Sequence, residues 1–337
     1  MKFFYKSDIQ FVIDSGYMPQ SFLTAIEAES RTPDGEKLYM LDANYIRAYD
    51  LITGYIESRW DNYWDTLPIV RENIDIVYPF YNDSRRGYDE LKYSLRSIEV
   101  NFKATTINVW VVGDLPSFIS REVNYIQKDR FMGPTNIGDE YHQRKKSIDS
   151  SQKMLAAMND PGMGDNVLIM NDDQYFVNPT PVEVFRHPGA FRPWTAAQLN
   201  AWEEGNNWEE TRKKSMLHFL SRSPKTVAYD YSTHLPYLYD KTNFLAMASK
   251  FFIDQNHVLP NNVGVYCPEV LYYNEYPFDV TPPPAFERIF IHDQMIDPSI
   301  ITRQINKAFV LNTPKLEYNA VLYRLEGMFP NKSIYER

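Results

Sequence analysis

The stretch Val167-Leu168-Ile169-Met170-Asn171-Asp172-Asp173 decides the fold: an apolar run that ends abruptly in two carboxylates. Four consecutive apolar residues suit a strand covered on both faces, the interior strand of an α/β sheet. Ligands of such sheets collect at the carboxyl ends of the strands, where Asp172 and Asp173 stand. Adjacent acids repel each other there unless a cation or proton sits between them. Successive strand residues point to opposite faces, so both acids serve one site only if the chain turns, and Asn171 tolerates turn geometry. Hard oxygen ligands of this kind suit Mg²⁺ or Mn²⁺ bridging the phosphates of a bound nucleotide.

Outward from that run the same rhythm recurs. Ile74 to Phe80 reads as a strand stopped by Pro79, Asp89 to Asn101 as a helix with Leu91, Leu95 and Ile98 on one face, and Ile107 to Gly113 as a second strand. Strand, helix, strand is a βαβ unit with a parallel sheet and a right-handed crossover. Ser147 to Met158 predicts a helix leading into the acidic strand, Trp202 to Leu220 another, and Asn319 to Phe329 a last one. Residues 1–70 differ: Ser21 to Glu29 and Asn44 to Trp60 carry helical spacing around the turn signal Thr32-Pro33-Asp34-Gly35. The expectation is a helical segment over 1–70 and one catalytic α/β domain over 71–337, its mainly parallel sheet flanked by helices.

Several loops carry candidate chemistry. The segment Tyr78 to Arg86 closes the first strand and leads into the crevice: Asn82, Asp83 and Ser84 could hydrogen-bond a base or ribose, Arg85 and Arg86 could contact phosphate, and Tyr78 is a further candidate donor contact. Arg144-Lys145-Lys146 precedes a helix, and Lys146 is a candidate for neutralising a leaving nucleoside phosphate. Asp230 stands four residues before His234, so it could orient that imidazole as a general base. Ile289-Phe290-Ile291-His292-Asp293 repeats the apolar run with polar groups at its end; His292 is a candidate metal ligand and Asp293 a candidate base. Asp172 is expected to bind donor phosphate through the metal, and Asp173 to share that metal.

Composition excludes other chemistries. A net charge of −9 argues against broad adhesion to nucleic acid, although a local basic groove remains compatible with it. One cysteine, Cys267, rules out an intrachain disulfide and a cysteine metal cluster. None of the 13 glycines has the spacing of a phosphate loop after a strand, so dehydrogenase and kinase readings lose their support. Charge interrupts the amino terminus too early for a signal peptide, and no apolar stretch is long enough to span a bilayer; a cytoplasmic protein is expected. Aromatic residues make 15% of the chain, most of them core material by type, some available to line a sugar or base site.

Set side by side, these segments resemble the Stealth family of sugar-phosphate transferases and related phage-encoded glycosyltransferase-like proteins. Asp89-Glu90-Leu91-Lys92-Tyr93-Ser94-Leu95-Arg96-Ser97-Ile98 is similar to the family's second conserved region, with Val109 to Pro116 as its following strand. Met170 to Phe176 resembles its Asn-Asp-Asp element, His234-Leu235-Pro236 its histidine region, and Phe309 to Asn312 with Phe329 to Glu336 its closing region. The resemblance runs from about Ile74 to the end. It implies a GT-A-like nucleotide-sugar fold, a divalent cation (Mn²⁺ or Mg²⁺), and roles for Arg96 and His234 near the donor phosphates. The first region departs: Tyr78-Pro79-Phe80-Tyr81-Asn82-Asp83-Ser84-Arg85 stands where the family reads Tyr-Thr-Trp-Val-Asp-Gly-Ser-Asp. Two transfers therefore stay open, of a sugar from a UDP-sugar donor to a hydroxyl on a glycan or a hydroxymethylated phage DNA base, or of the whole sugar 1-phosphate. A non-catalytic carbohydrate-binding protein on a degenerate scaffold is the third reading.

Overall fold

The computed structural model describes residues 72–81, 89–131, 142–186, 193–204, 207–232, 235–252, 266–277, 310–312 and 319–337, with strands at 2–5, 28–31, 37–41 and 288–290. The first three strands, β1 (Lys2–Tyr5), β2 (Ala28–Arg31) and β3 (Lys37–Leu41), form an antiparallel sheet with β3 in the centre. This corrects the helical reading where it can be compared: Ala28 and Glu29 are strand, and the Thr32–Gly35 turn signal falls between two paired strands. Turn residues punctuate strands and helices alike, so the signal alone does not say which they join. The remainder of the expected helices lies outside the described residues.

The main sheet is built from β4 (Asn73–Phe80), which continues through helix α1 (Asp89–Asn101) and the short β5 (Phe102–Lys103) into β6 (Thr106–Gly113) and β7 (Val123–Gln127). Helix α2 (His142–Asn159) then crosses back to β8 (Asn166–Ile169) on the other side of β4. Helix α2 begins before the predicted Ser147, so Arg144-Lys145-Lys146 lies inside the helix rather than ahead of it. After β8 the chain turns into β9 (Gln174–Phe176), β10 (Thr180–Pro181) and β11 (Pro193–Thr195). A short α3 (Ala196–Asn200) precedes the helix expected over Trp202–Leu220, which is α4 (Asn207–Arg222) and starts later. Thr195 caps α3 with a reciprocal bond to Gln198, a local start signal that periodicity does not register. The chain continues through β12 (Val227–Tyr229), β13 (Tyr237–Asp240), α5 (Lys241–Phe251), α6 (Pro268–Glu275), β14 (Arg288–Phe290), β15 (Val310–Asn312) and α7 (Asn319–Met328).

The five-stranded sheet has the order β13-β8-β4-β6-β7, parallel except for β13. Its side chains alternate between two cores. Val77, Val112, Val167 and Ile169 face α2 and the α4–α6 layer, while Ile76, Tyr78, Val111 and Leu168 face α1. Helices therefore cover both faces, which is why these strands read as unbroken apolar runs.

One buried carboxylate ties the three central strands at their amino ends. Asp75 on β4 is 2% exposed; it accepts from Asn108 Nδ2 (2.8 Å) and Trp110 Nε1 (3.1 Å) on β6 and from the amide of Gly164, just before β8. A Cβ at position 164 would lie 2.8 Å from the Asp75 carboxylate, so only glycine lets the backbone approach this closely. Asp75→Ala would leave the buried Trp110 Nε1 without its acceptor and free the more exposed Asn108 and Gly164 donors, and is expected to cost about 2 kcal/mol. Urea denaturation checks this: the midpoint should fall while the slope with denaturant stays unchanged.

Candidate functional site

Strand order reverses beside β4: the chain first builds outward to β6 and β7, then returns to place β8 on the opposite side. Parallel neighbours whose connections leave in opposite directions open a crevice at their carboxyl ends, the usual ligand position in such sheets. The segment after β8 enters that crevice. Asn171 is exposed, and Asp172 and Asp173 form a turn and are half-buried. The strand thus ends before the acids, so alternation along a strand no longer forces them apart.

The turn is held from below by α1. Ser94 Oγ donates to the Gln174 carbonyl at 2.6 Å, and the buried Tyr78 hydroxyl lies 2.6 Å from the same Ser94 oxygen. One turn further along the helix, Ser97 Oγ accepts from the Phe176 amide (3.0 Å), and Asn101 Nδ2 donates to the Phe176 carbonyl (2.6 Å). Gln174 closes the turn itself: its Oε1 accepts from the Asn171 amide (2.9 Å), and its own amide reaches the Asn171 carbonyl (3.3 Å). Tyr78 is therefore a core support under the turn, 1% exposed, rather than the donor contact expected of it. Burial, and more weakly the Asp172 charge, push its phenol far above the ordinary range. Burial dominates at Tyr175 too, with Glu90, Asp173 and Asp172 adding to the rise, which places all three carboxylates near that ring.

Two other expected site residues are bound elsewhere. The Arg96 guanidinium grips Glu336 through Nε (2.7 Å) and Nη2 (2.9 Å) and donates to the Phe329 carbonyl (3.2 Å). That bidentate pair fastens the closing residues to α1 and replaces the phosphate role expected from the resemblance. Asp230 is fully buried and occupied at both oxygens: Oδ1 accepts from the Ser232 amide (3.1 Å) and hydroxyl (2.5 Å), and Oδ2 accepts from the Arg212 guanidinium. It is a buried anion held by Arg212 and Ser232. His234, Asn82, Asp83, Arg85, His292 and Asp293 lie outside the described residues, as does the Lys146 side chain.

Beside the turn lies a cavity of about 260 Å³ between the sheet and the α2, α4 and α6 helices. Asn171 and Gln174 form one wall, Trp208, Tyr237, Tyr239 and Tyr266 others, and Glu269 stands at the start of α6. The Tyr266 ring is fixed by stacking on His218 of α4, with centroids 4.2 Å apart. The next residue, Cys267, donates its amide to Ser215 Oγ at 2.8 Å, so α4 sets where α6 begins. Burial raises the Cys267 thiol well above its usual value, which removes it as a nucleophile.

Glu269 is the residue that sequence reading missed. It is 8% exposed, and burial raises its carboxyl from 4.5 to about 7; the nearby Asp230 charge adds to the rise, while a backbone hydrogen bond and one from Cys267 oppose it. In sequence it is the ordinary acid in the first turn of a helix after Pro268, and only tertiary burial distinguishes it. Among the described residues no three acidic, histidine or cysteine side chains gather as a metal cluster. Asp172 and Asp173, two carboxylates side by side on the turn, are the hard oxygen donors that a small divalent cation takes.

No family model matches the chain, and no curated protein matches it. The resemblance to Stealth transferases rests on its motif residues. Among solved structures the chain is similar to the galactosyltransferase LgtC in complex with donor and acceptor sugar analogs, at 12% identity and a TM-score of 0.38, over 78% of this chain and 98% of that one. An active-site mutant of LgtC gives 11% identity and a TM-score of 0.37 over the same shares. No helix among the described residues is long and apolar enough to cross a membrane.

The raised Glu269 carboxyl has a signed consequence for stability. The unfolded chain releases this proton near pH 4.5 and the folded chain near 7, so between those values the folded state binds more protons. Its contribution is complete below pH 4.5, declines as pH rises, and levels off above 7. The size is on the order of 3 kcal/mol. Denaturation of wild type and Glu269→Gln across pH 4–8 should show the wild type losing stability relative to the variant over this window.

Proposed function

We propose that this protein transfers a sugar from a nucleotide-sugar donor, a UDP-sugar, to a hydroxyl acceptor. The observation that carries the reading is the Asp172–Asp173 turn, seated where the strand order reverses and opening beside an aromatic-walled cavity. Asp172 and Asp173 would hold Mn²⁺ or Mg²⁺, the cation that a nucleotide-sugar diphosphate calls for. The bound cation supplies charge neutralisation for the departing nucleoside diphosphate. Asn82, Asp83 and Arg85, on the segment leaving β4, belong to the same proposal as contacts to base, ribose and phosphate, with Lys146 as a further phosphate contact. His234, His292 and Asp293 are proposed at the same edge.

The protein's own side chains supply what the metal does not. The α1 hydrogen bonds to Gln174 and Phe176 fix the turn before donor arrives, so little reorganisation is needed on binding. Trp208, Tyr237 and Tyr266 offer flat apolar faces that suit the C–H faces of a sugar ring, and they exclude water around the reacting carbon. In the transfer the acceptor oxygen bonds to the anomeric carbon and the bond from that carbon to the diphosphate breaks, its electron pair leaving with the diphosphate.

Thermal unfolding with UDP, UDP-glucose and UDP-galactose, each with and without Mn²⁺, tests the reading. Ligand at about a hundred times its dissociation constant should stabilise the wild type by about 3 kcal/mol, and only when metal is present. Asp172→Asn and Asp173→Asn should each remove that metal-dependent gain while folding normally, and should lower donor turnover by about 10³-fold. A gain that survives in both variants overturns the site. The released nucleotide separates the two transfers: UDP marks transfer of the sugar, UMP transfer of the sugar phosphate.

A further inference from the structure

We propose that the cavity beside the Asp172–Asp173 turn seats the hydroxylated ring of the acceptor, and that Glu269 takes the proton from the attacking hydroxyl. The inference rests on the transferase reading and adds to it the acceptor site and the base.

Three observations converge on this cavity. Its volume of about 260 Å³ holds roughly nine waters at liquid density, enough for a single hexose ring. It is continuous with the donor side, because Asn171, the residue before Asp172, lines it. And it contains a carboxyl group, because Glu269, 8% exposed at the start of α6, lines it.

Glu269 is the acidic side chain among the cavity's lining residues. Its neighbours favour a proton acceptor working near neutrality. From the region after β12 it faces the Asp230 charge, itself neutralised by Arg212 of α4; from its own segment it faces Cys267; from β13 it faces Tyr239. Helix α2 presents Ser150, Ser151 and Met154 to the cavity and no ionisable group. The carboxylate accepts the acceptor O–H proton as that oxygen bonds to the anomeric carbon, the diphosphate departs with the electron pair of the broken bond, and the proton then passes from Glu269 to solvent.

UDP release is measured from UDP-glucose and UDP-galactose in Mn²⁺, with water or a methyl hexoside as the attacking hydroxyl. The wild-type rate should rise with pH through about 7 and then level, following ionisation of the carboxyl. Glu269→Gln should be slowed at least about 100-fold and lose that limb, while its thermal shift with UDP and Mn²⁺ equals the wild type's. A variant that keeps both the rate and the limb overturns the role of Glu269 and leaves the donor site standing. A wild type that shows no shift with UDP and Mn²⁺ overturns the transferase reading, and this inference with it. If Glu269→Gln does not fold, Trp208→Ala decides, since that ring lines the cavity: its KM for the hexoside should rise about tenfold more than kcat falls, and an unchanged KM overturns the acceptor seat.

Discussion

A hydrogen bond of 2.6 Å from Ser94 to the Gln174 carbonyl is the contact on which the site depends. It joins a helix that starts at residue 89 to a strand that starts at residue 174; elsewhere the helix is fastened by the Arg96–Glu336 pair and the strand is paired with β15, but between the two the contact is largely apolar. Apolar burial sets how closely a helix lies on a sheet, but it leaves sliding along the interface weakly opposed. Ser94, Ser97 and Asn101 supply the missing direction, each addressing a backbone group of Gln174 or Phe176. The turn with two acids is fixed at one end by this ladder and at the other by β8, whose residues are locked between β4 and β13.

That arrangement also accounts for the burial of the tyrosines. Tyr78, Tyr175, Tyr239 and Tyr273 are all essentially inaccessible, yet they fall into distinct situations. Tyr78 has Ser94, and Tyr273 has the Leu238 carbonyl at 2.6 Å. Tyr239 packs edge-on against Phe244 and Tyr272, so its ring is fully supported while its hydroxyl is not. Among the described residues a dense group of aromatics fills the α4–α6 layer, and the cavity lies between that filling and the sheet.

The parts of this architecture legible in the sequence are those fixed by local pattern. Helix α1 runs from Asp89 to Asn101 as its apolar spacing indicates, and β4, β6 and β8 follow their apolar runs. Illegible were the features set by residues far apart in the chain. Arg96 meets Glu336, 240 positions away, and an arginine on a helix looks the same whether it meets phosphate or carboxylate. Asp230 receives Arg212 from the preceding helix, a partner 18 positions away that local spacing does not announce. Glu269 carries no local mark at all, since its character comes from the layers that close over it. The opening strands escaped notice because four- and five-residue strands are too short for alternation to outweigh a loose helical spacing.

Asp75 has a bearing on how such a protein can change. It ties β4, β6 and the approach to β8 at the edge of the sheet opposite the crevice. A slip of one residue in a strand exchanges its two faces, so a fastening at the floor keeps every side chain at the rim correctly presented. The rim loops are then relieved of any duty to align the strands. Their length and wording are free to diverge toward new donors and acceptors, while the alignment they depend on is kept by a carboxylate that no substrate touches.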